Sequence, residues 1–284
     1  MREHYSHTFR PPLDRFVTLA VGYRYAGGSP GVHVGLPSGA LTLVVPFDEP
    51  LCLSGAGLAG LTTFDAVLAG LATGPTLIHH DGSQHGLQLG LTPSGVRAVF
   101  GMPAGELAES SVELEDVVGR VARSLRDELE GYATWPERFA AVDRVVRELM
   151  RRHESRCAGP PEVARAWRLI RCGGGRTPVA GVASDVGWST RHLEQRFRGE
   201  LGITPKAAVR ITRFERSVDA ARDPRSRLAD VAAECGYADQ AHLAREWRDL
   251  AGLPPSRWRA EDDPAFVEGD DAVVLTASGH DHTS

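Results

Sequence analysis

Arg191, Glu194 and Gln195 lie in a stretch of sequence whose apolar residues, Leu193 and Phe197, recur at a helical interval. That interval places the two apolar side chains on one stripe of a helix and leaves the three polar side chains outside it. Arginine binds guanine through two hydrogen bonds, glutamine binds adenine in the same way, and glutamate accepts from the amino group of cytosine. The stretch therefore offers the chemistry that reads base edges in a major groove.

Four more residues complete this candidate surface. Ser189 has a hydroxyl that can cap the helix, and Thr190 follows it on the first exposed turn. Arg196 and Arg198 lie farther along, where they are suited to phosphates. Phosphate contacts supply position and affinity without sequence information.

A helix-glycine-helix pattern surrounds these residues and occurs twice, beginning at Val182 and again at Val231. Each first helix ends at a glycine, Gly187 or Gly236, and glycine readily takes the left-handed conformation that closes a helix. A second helix restarts shortly afterwards in each copy. The pattern predicts two helix-turn-helix motifs.

A helix between the two copies is predicted to begin at Thr204-Pro205 and to run to about Arg222. Such a helix is a rod of roughly 28 Å, and successive major-groove faces of B-DNA lie about 34 Å apart. One polypeptide would then read two groove segments without dimerising.

This arrangement resembles the DNA-binding domain of the AraC/XylS family of transcription regulators, over residues 162–260. The resemblance is carried by the paired Ala-x3-Gly-aromatic turns, Arg213-Phe214-Glu215 of the linking helix, Gly236-Tyr237-Ala238-Asp239-Gln240, and the closing Gly252-Leu253-Pro254-Pro255-Ser256-Arg257-Trp258-Arg259. By the same alignment, the second recognition helix presents Asp239, Gln240, Ala241, His242 and Arg245 where the family meets the groove. The small residue Ala241 weakens direct reading of bases, so shape or backbone contacts are expected to dominate on that side.

The N-terminal part shows apolar, β-branched and aromatic segments at 16–25, 41–47 and 87–91, separated by Gly, Pro and Ser clusters. This spacing predicts a small antiparallel barrel or sandwich. Amphipathic helices are predicted over 112–130 and 134–150, where Thr134 and Glu137 have the capping-box spacing. In the family, a helix pair after a cupin-type barrel commonly forms a dimer interface; the alternative is that both apolar stripes cover the barrel.

These readings give a multi-domain α and β chain. An N-terminal cupin-like β barrel or sandwich with an antiparallel helix pair (1–153) precedes a linker (154–161). An all-α domain with two helix-turn-helix motifs (162–260) and an acidic, disordered tail (261–284) follow. The chain has a net charge of −5, yet residues 162–260 carry 18 basic and 12 acidic groups, so the basic excess falls on the segment assigned to DNA.

A rival signal consists of His79, His80 and His85, with Asp81 between them and His33 upstream. Neighbouring strand residues point to opposite faces, so His79 and His80 do not readily share one ion. The alternative function that these residues would support is a metal-dependent cupin enzyme fused to a DNA-binding module. Cys235 is expected on a buried helix face as a small apolar residue, while a sensing role for Cys52 or Cys157 stays open.

The expected function is therefore that of a sequence-specific DNA-binding transcription regulator, without catalytic residues, metal or cofactor. Its expected partners are double-stranded DNA, a second copy of the chain, an unknown small-molecule effector in the N-terminal domain, and RNA polymerase if it activates. With no long apolar run and no signal-like N-terminus, a cytoplasmic location is expected.

Overall fold

A computed structural model describes residues 2–261, so the tail predicted to be disordered lies, from residue 262 onward, outside the described residues. The strands are β1 (Arg2–Ser6), β2 (Val17–Tyr25), β3 (Gly31–Gly35), β4 (Leu41–Pro46), β5 (Leu51–Gly55), β6 (Thr62–Phe64), β7 (Val67–Ala69), β8 (Thr76–His80), β9 (Gln84–Leu91) and β10 (Ser111–Glu113). The helices are α1 (Pro93–Phe100), α2 (Leu114–Val118), α3 (Arg120–Gly131), α4 (Trp135–Arg152), α5 (Pro161–Cys172), α6 (Val179–Asp185), α7 (Thr190–Leu201), α8 (Pro205–Arg222), α9 (Leu228–Cys235), α10 (Gln240–Ala251) and α11 (Pro255–Glu261).

The strands form two antiparallel sheets, with orders β1-β2-β9-β4-β7-β10 and β3-β8-β5-β6. The three strands predicted at 16–25, 41–47 and 87–91 are confirmed as β2, β4 and β9, and all three are neighbours in the larger sheet. The sandwich alternative is confirmed and the closed barrel is wrong. Within the described residues each sheet ends at an edge strand instead of pairing with the other sheet, and the edge strands β6 and β10 are only three residues long.

Strand alternation gives the larger sheet two different faces. In β9, Leu87 and Leu89 are almost fully buried in a core that also contains Phe139 of α4 and Leu125 of α3. The residues between them point the other way, towards the smaller sheet. The sheet therefore has helices on one face and the second sheet on the other.

The helix predicted over 112–130 is corrected by the structure. Val112 belongs to β10, where it pairs with Leu68 of β7, and Gly119 (φ 62°, ψ −147°) separates α2 from α3. A continuous apolar stripe concealed this break, because the stripe is buried against the sheet on both sides of the glycine. Glycine adopts this positive φ without the strain that a Cβ would add.

The second helix of the pair is confirmed, with Thr134 and Glu137 forming the expected capping box at the start of α4. Its apolar stripe and that of α3 pack on the sheet, with Leu129, Val142 and Leu149 buried. These stripes are therefore used within one chain, and a homodimer stays a prediction that needs another surface.

Candidate DNA-binding surface

The first helix-turn-helix motif consists of α6 and α7, joined through Gly187, which has a φ of 75°. Ser189 caps α7, its hydroxyl oxygen accepting from the backbone N–H of His192 at 3.2 Å. Leu193 and Phe197 are fully buried, as their helical interval predicts. This inner stripe fixes which side of α7 faces outward.

The outward side of α7 carries every residue proposed for it from the sequence. All are exposed: Ser189, Thr190, Arg191, Glu194, Gln195, Arg196 and Arg198. Arg198 Nη2 lies 3.2 Å from Glu194 Oε1, one turn back along the helix. The helix thus presents two side chains with acceptor oxygens, Glu194 and Gln195, among three arginines. All of them lie on an exposed surface that a DNA duplex can approach.

The second motif consists of α9 and α10, joined through Gly236 (φ 83°). Asp239 caps α10 by accepting from the His242 backbone N–H at 2.6 Å. Gln240, Ala241 and Arg245 are exposed, whereas His242 is half-buried. The second surface has fewer groups that can read bases, in agreement with its sequence.

A histidine on the first turn of each recognition helix has a role that sequence reasoning missed. The His192 ring packs edge-on against Trp188 with centroids 4.7 Å apart, and His242 packs likewise against Tyr237 at 5.3 Å. His242 Nδ1 also accepts from the backbone N–H of Ala238 at 3.2 Å. These ring contacts hold the turn against the helix. The sequence signal for them is an aromatic residue followed by a histidine in both copies of the motif.

The linking helix α8 holds α10 through an apolar and a charged contact. Phe214 of α8 packs edge-on against Trp247 at 5.1 Å, and the Trp247 indole N–H donates to Ser217 Oγ at 2.8 Å. Beside them, Arg213 donates to both carboxylate oxygens of the buried Glu246, from Nη2 at 2.7 Å and 3.0 Å. Charge-assisted bonds of this kind set orientation as well as adding energy.

Two polar contacts join this helical segment to the N-terminal sandwich. The buried carboxylate of Glu215 on α8 accepts from the backbone N–H of Gly39 at 2.9 Å and pairs with the Arg171 guanidinium. Burial raises the pKa of Glu215, and Arg171 opposes that shift. The sequence singled out Glu215 by resemblance but did not indicate this contact.

The second contact joins α1 to α7. Arg97 donates from Nε and Nη2 to the two oxygens of Glu200, at 2.7 Å and 2.5 Å. A Cβ on Gly105 would lie 2.8 Å from Gly199 O, so the chain at 104–107 lies directly against the end of α7. The first motif is thereby attached to the sandwich on the side away from its exposed face.

A cavity of about 200 Å³ lies between the two sheets and extends to Trp258 of α11. Its walls include Tyr23, Gln88 and His33 from the sheets, and the segment 34–38 and Ala40 at one end. Burial lowers the pKa of His33, with a smaller contribution from His80 in the same direction. The cavity is therefore lined by both the sandwich and the helical segment.

The histidines proposed as rival metal ligands lie apart. His79, in the smaller sheet, has Nε2 2.8 Å from Ser54 Oγ, whereas His85, in the larger sheet, has Nδ1 3.0 Å from Asp48 Oδ2. Burial lowers the pKa of His85 while Asp48 opposes that shift. His80 accepts at Nδ1 from the Gly82 backbone N–H, and Asp81 is exposed in the adjoining turn. In the part of the chain that the structure describes, no three His, Cys, Asp or Glu side chains are grouped as a metal site.

Cys235 lies on the buried face of α9, as predicted, and burial raises the pKa of its thiol. Cys157 is exposed and Cys52 is half-buried on β5. Within residues 2–261, no helix is both long and apolar enough to span a membrane.

Comparison with known proteins agrees with this architecture. Residues 163–261 match a family model described as "Helix-turn-helix domain". The fold resembles that of ToxT from Vibrio cholerae O395, with 11% identity, 84% of this chain and 95% of that chain covered, and a TM-score of 0.50. Unsaturated fatty acid-bound wild-type ToxT from V. cholerae strain SCE256 gives 11% identity, 84% and 94% coverage, and 0.51.

An AraC-type transcriptional regulator from Chromobacterium violaceum matches 38% of this chain over 96% of its own length, at 22% identity and a TM-score of 0.34. No curated protein matches the chain.

A doubled helix-turn-helix on a β-sandwich defines a DNA-binding transcription regulator. Its paired motifs and linking helix resemble those of the AraC/XylS family, within the segment that matches the helix-turn-helix family model, and its overall fold is similar to that of ToxT.

Proposed function

We propose that this regulator binds double-stranded DNA with α7 and α10 in successive major grooves on one side of the duplex. The carrying observation is that both recognition helices pack against one continuous helix, α8. Its 18 residues make a rod of roughly 27 Å. With the motifs packed at its two ends, that length suits the separation of about 34 Å between adjacent groove faces.

Within the first groove, Arg191 and Gln195 contact base edges and Glu194 accepts from cytosine. Arg196 and Arg198 serve phosphates. Ser189 and Thr190 lie at the N-terminus of α7, where backbone N–H groups also suit a phosphate. The support is the shared exposure of these side chains on one side of a capped helix.

Within the second groove, Gln240 and Arg245 supply the polar contacts, while Ala241 allows close approach of the backbone. Asp239 and His242 act chiefly by holding the start of α10, because both are already hydrogen-bonded there. Preference on this side comes more from DNA shape than from base hydrogen bonds.

A small-molecule effector in the cavity controls DNA binding in this proposal. The cavity reaches Trp258 of the DNA-binding segment, and structures of ToxT with a bound fatty acid give a precedent for ligand binding in this fold.

The regulator acts in the cytoplasm, as a homodimer, and contacts RNA polymerase if it activates. A dimer would use the charged outer faces of α3 and α4, since their apolar faces are buried.

The alternative, a metal-dependent cupin-type enzyme carrying a DNA-binding module, rests on the histidines of the sandwich. Metal analysis of the purified chain separates the two, because the enzyme would retain stoichiometric metal.

Hydroxyl-radical footprinting of the full chain, on a duplex selected from random sequences, tests the proposal. We expect two protected segments about 10 base pairs apart on one face of the duplex. The double substitution Gln240→Ala and Arg245→Ala should remove only the segment bound by α10. Protection of a single groove segment by the unaltered chain contradicts the proposal, and the measured stoichiometry shows whether one chain or two occupy the site.

A further inference from the structure

The inner face of the larger sheet carries several polar side chains among apolar ones. On β9, Gln84 and Gln88 line the cavity, whereas Leu87 and Leu89 face the helices. Neighbouring strands add Tyr23 to the same lining. Because strand side chains alternate, this polarity belongs to one face and does not reflect a polar strand as a whole.

The carboxamide of Gln88 makes no hydrogen bond to another described residue, and neither does that of Gln84. Both side chains are half-buried and border the cavity. Because neither carboxamide has a protein partner among the described residues, both are available to a ligand or to water in the cavity. An amide presents both donors and an acceptor, and so recognises carbonyl, hydroxyl and amide groups.

Over residues 2–261, the lining contains no permanently charged side chain, and its histidines are His4 and His33. None of the described residues that line the cavity is Arg, Lys, Asp or Glu. Burial raises the pKa of Tyr23, and burial together with His80 lowers the pKa of His33, so both side chains are kept in their neutral forms. A charged ligand would have to leave water without gaining a counter-charge, which is unfavourable.

The size of the cavity restricts the ligand further. An engineered cavity of about 150 Å³ accommodates benzene. At about 200 Å³, this cavity has room for one ring with a small substituent, or for a short chain of similar volume. A long-chain molecule would extend beyond it.

We propose that the cavity binds a small uncharged molecule of about one substituted aromatic ring, held by its carbonyl, amide or hydroxyl group through Gln88. This names the chemical class of the effector and rests on the proposed regulation. Trp258 forms part of the wall and its ring lies 5.3 Å from that of Trp247 on the second motif. A bound molecule thus contacts the DNA-binding segment itself.

The probes are benzamide and benzoate, which have nearly the same shape and differ in charge. Titration calorimetry of the full chain at pH 8 keeps ordinary histidines neutral. We expect benzamide to bind with a dissociation constant of about 1 mM or tighter, and benzoate to bind at least about a hundredfold more weakly. Equal affinities, or no benzamide binding, overturn the proposal.

The matched variants are Gln88→Leu, which keeps volume but removes the amide, and Glu3→Gln, on an exposed position of β1. Loss of one neutral hydrogen bond should weaken benzamide binding about threefold to tenfold for Gln88→Leu, with no change for Glu3→Gln. If Gln88→Leu does not melt cooperatively, Gln88→Met, which also lacks the amide, replaces it. Unchanged benzamide affinity in the folded variant also overturns the proposal.

Binding of benzamide and benzoate is measured without DNA. The result therefore does not depend on the outcome of the DNA footprint. A normal footprint with no discrimination between the probes overturns the inference on ligand class alone. Selective benzamide binding with a single-groove footprint overturns the proposed DNA-binding mode alone.

Discussion

Arg191 and Arg198 lie two turns apart on α7, and both are exposed, but their surroundings differ. Arg198 is paired with Glu194 at 3.2 Å, whereas Arg191 is next to the capped N-terminus of the helix. In helix-turn-helix proteins the N-terminal residues of the recognition helix contact base edges. The two arginines should therefore have separable roles.

Arg191→Ala is expected to lower affinity for the preferred duplex by about 1–3 kcal/mol and to relax preference at one base pair. Arg198→Ala should weaken all duplexes alike and reduce the salt-dependence slope by about one contact. Binding to preferred and scrambled duplexes across a salt series measures both effects. Equal losses for both variants on both duplexes would show that α7 does not lie in the groove as proposed.

Leu193→Ala is the folding control, because this side chain is fully buried. Its loss should cost about 2–5 kcal/mol of folding free energy, and so lower the melting temperature together with binding. The exposed arginine variants should keep the parent melting temperature.

Single-residue features of the two motifs were largely predictable from sequence. The signals are local: the apolar interval at Leu193 and Phe197, the Ser189 hydroxyl and the left-handed glycines. Each one indicates a single local structure, namely a buried helix face, a helix cap or a helix end. The packing of His192 on Trp188 was not predicted, since a histidine at a recognition helix has several polar uses.

At the scale of elements, Glu246 joins α10 to α8. Its buried carboxylate receives Arg213 and, at 3.2 Å, Arg210 Nε. Arg210 also pairs at 3.2 Å with Asp249, which is exposed on the same helix. Arg210 thus pairs with one buried and one exposed carboxylate. Substituting each carboxylate in turn compares the stability that a buried and an exposed pair contribute.

Glu246→Ala is expected to destabilise the chain by about 3–5 kcal/mol, because it leaves Arg213 without its buried counter-charge. Asp249→Ala should change the free energy of unfolding by at most about 1 kcal/mol, as for other exposed pairs. Urea unfolding followed by circular dichroism gives both values. Similar losses for the two variants would mean that burial of Glu246 does not set its contribution.

Elements of the sandwich were predicted less well than the helices. The sequence could identify β2, β4 and β9 because each is long and apolar, but not the pairing of Val112 with Leu68. That pairing depends on a contact between segments distant in the chain. The apolar residues of β10, α2 and α3 also follow the interval of a single helix. Only the backbone conformation at Gly119 shows that the chain breaks there.

For the whole molecule, the sandwich and the DNA-binding segment share one apolar core cluster and are also joined by polar contacts. The Arg97–Glu200 pair is one of them, and a Cβ on Gly159 would lie 3.0 Å from Glu200 Oε1. The predicted linker at 154–161 therefore runs across this pair. No local pattern in the sequence indicates such a contact, because its members are about a hundred residues apart.

Glu200→Ala should loosen the linker and increase the rate of tryptic cleavage after Arg156, which is exposed. If local opening becomes easier by about 1–2 kcal/mol, cleavage should accelerate roughly 5- to 30-fold. Timed proteolysis with mass spectrometry measures it, and Glu194→Ala on the exposed side of α7 is the control. An unchanged rate would show that the pair does not hold the linker.

The two recognition helices differ in sequence, and α8 joins them covalently in a fixed order. Arg191 and Gln195 have no counterparts of the same chemistry at Ala241 and Arg245. With each helix in its own groove, as proposed, the DNA site of one chain has a left and a right end, and reversing it relative to a gene would exchange the groove that lies nearer the promoter. Unlike a palindromic site, it has polarity, so the same bound chain can present different sides of itself to the transcription machinery at two genes.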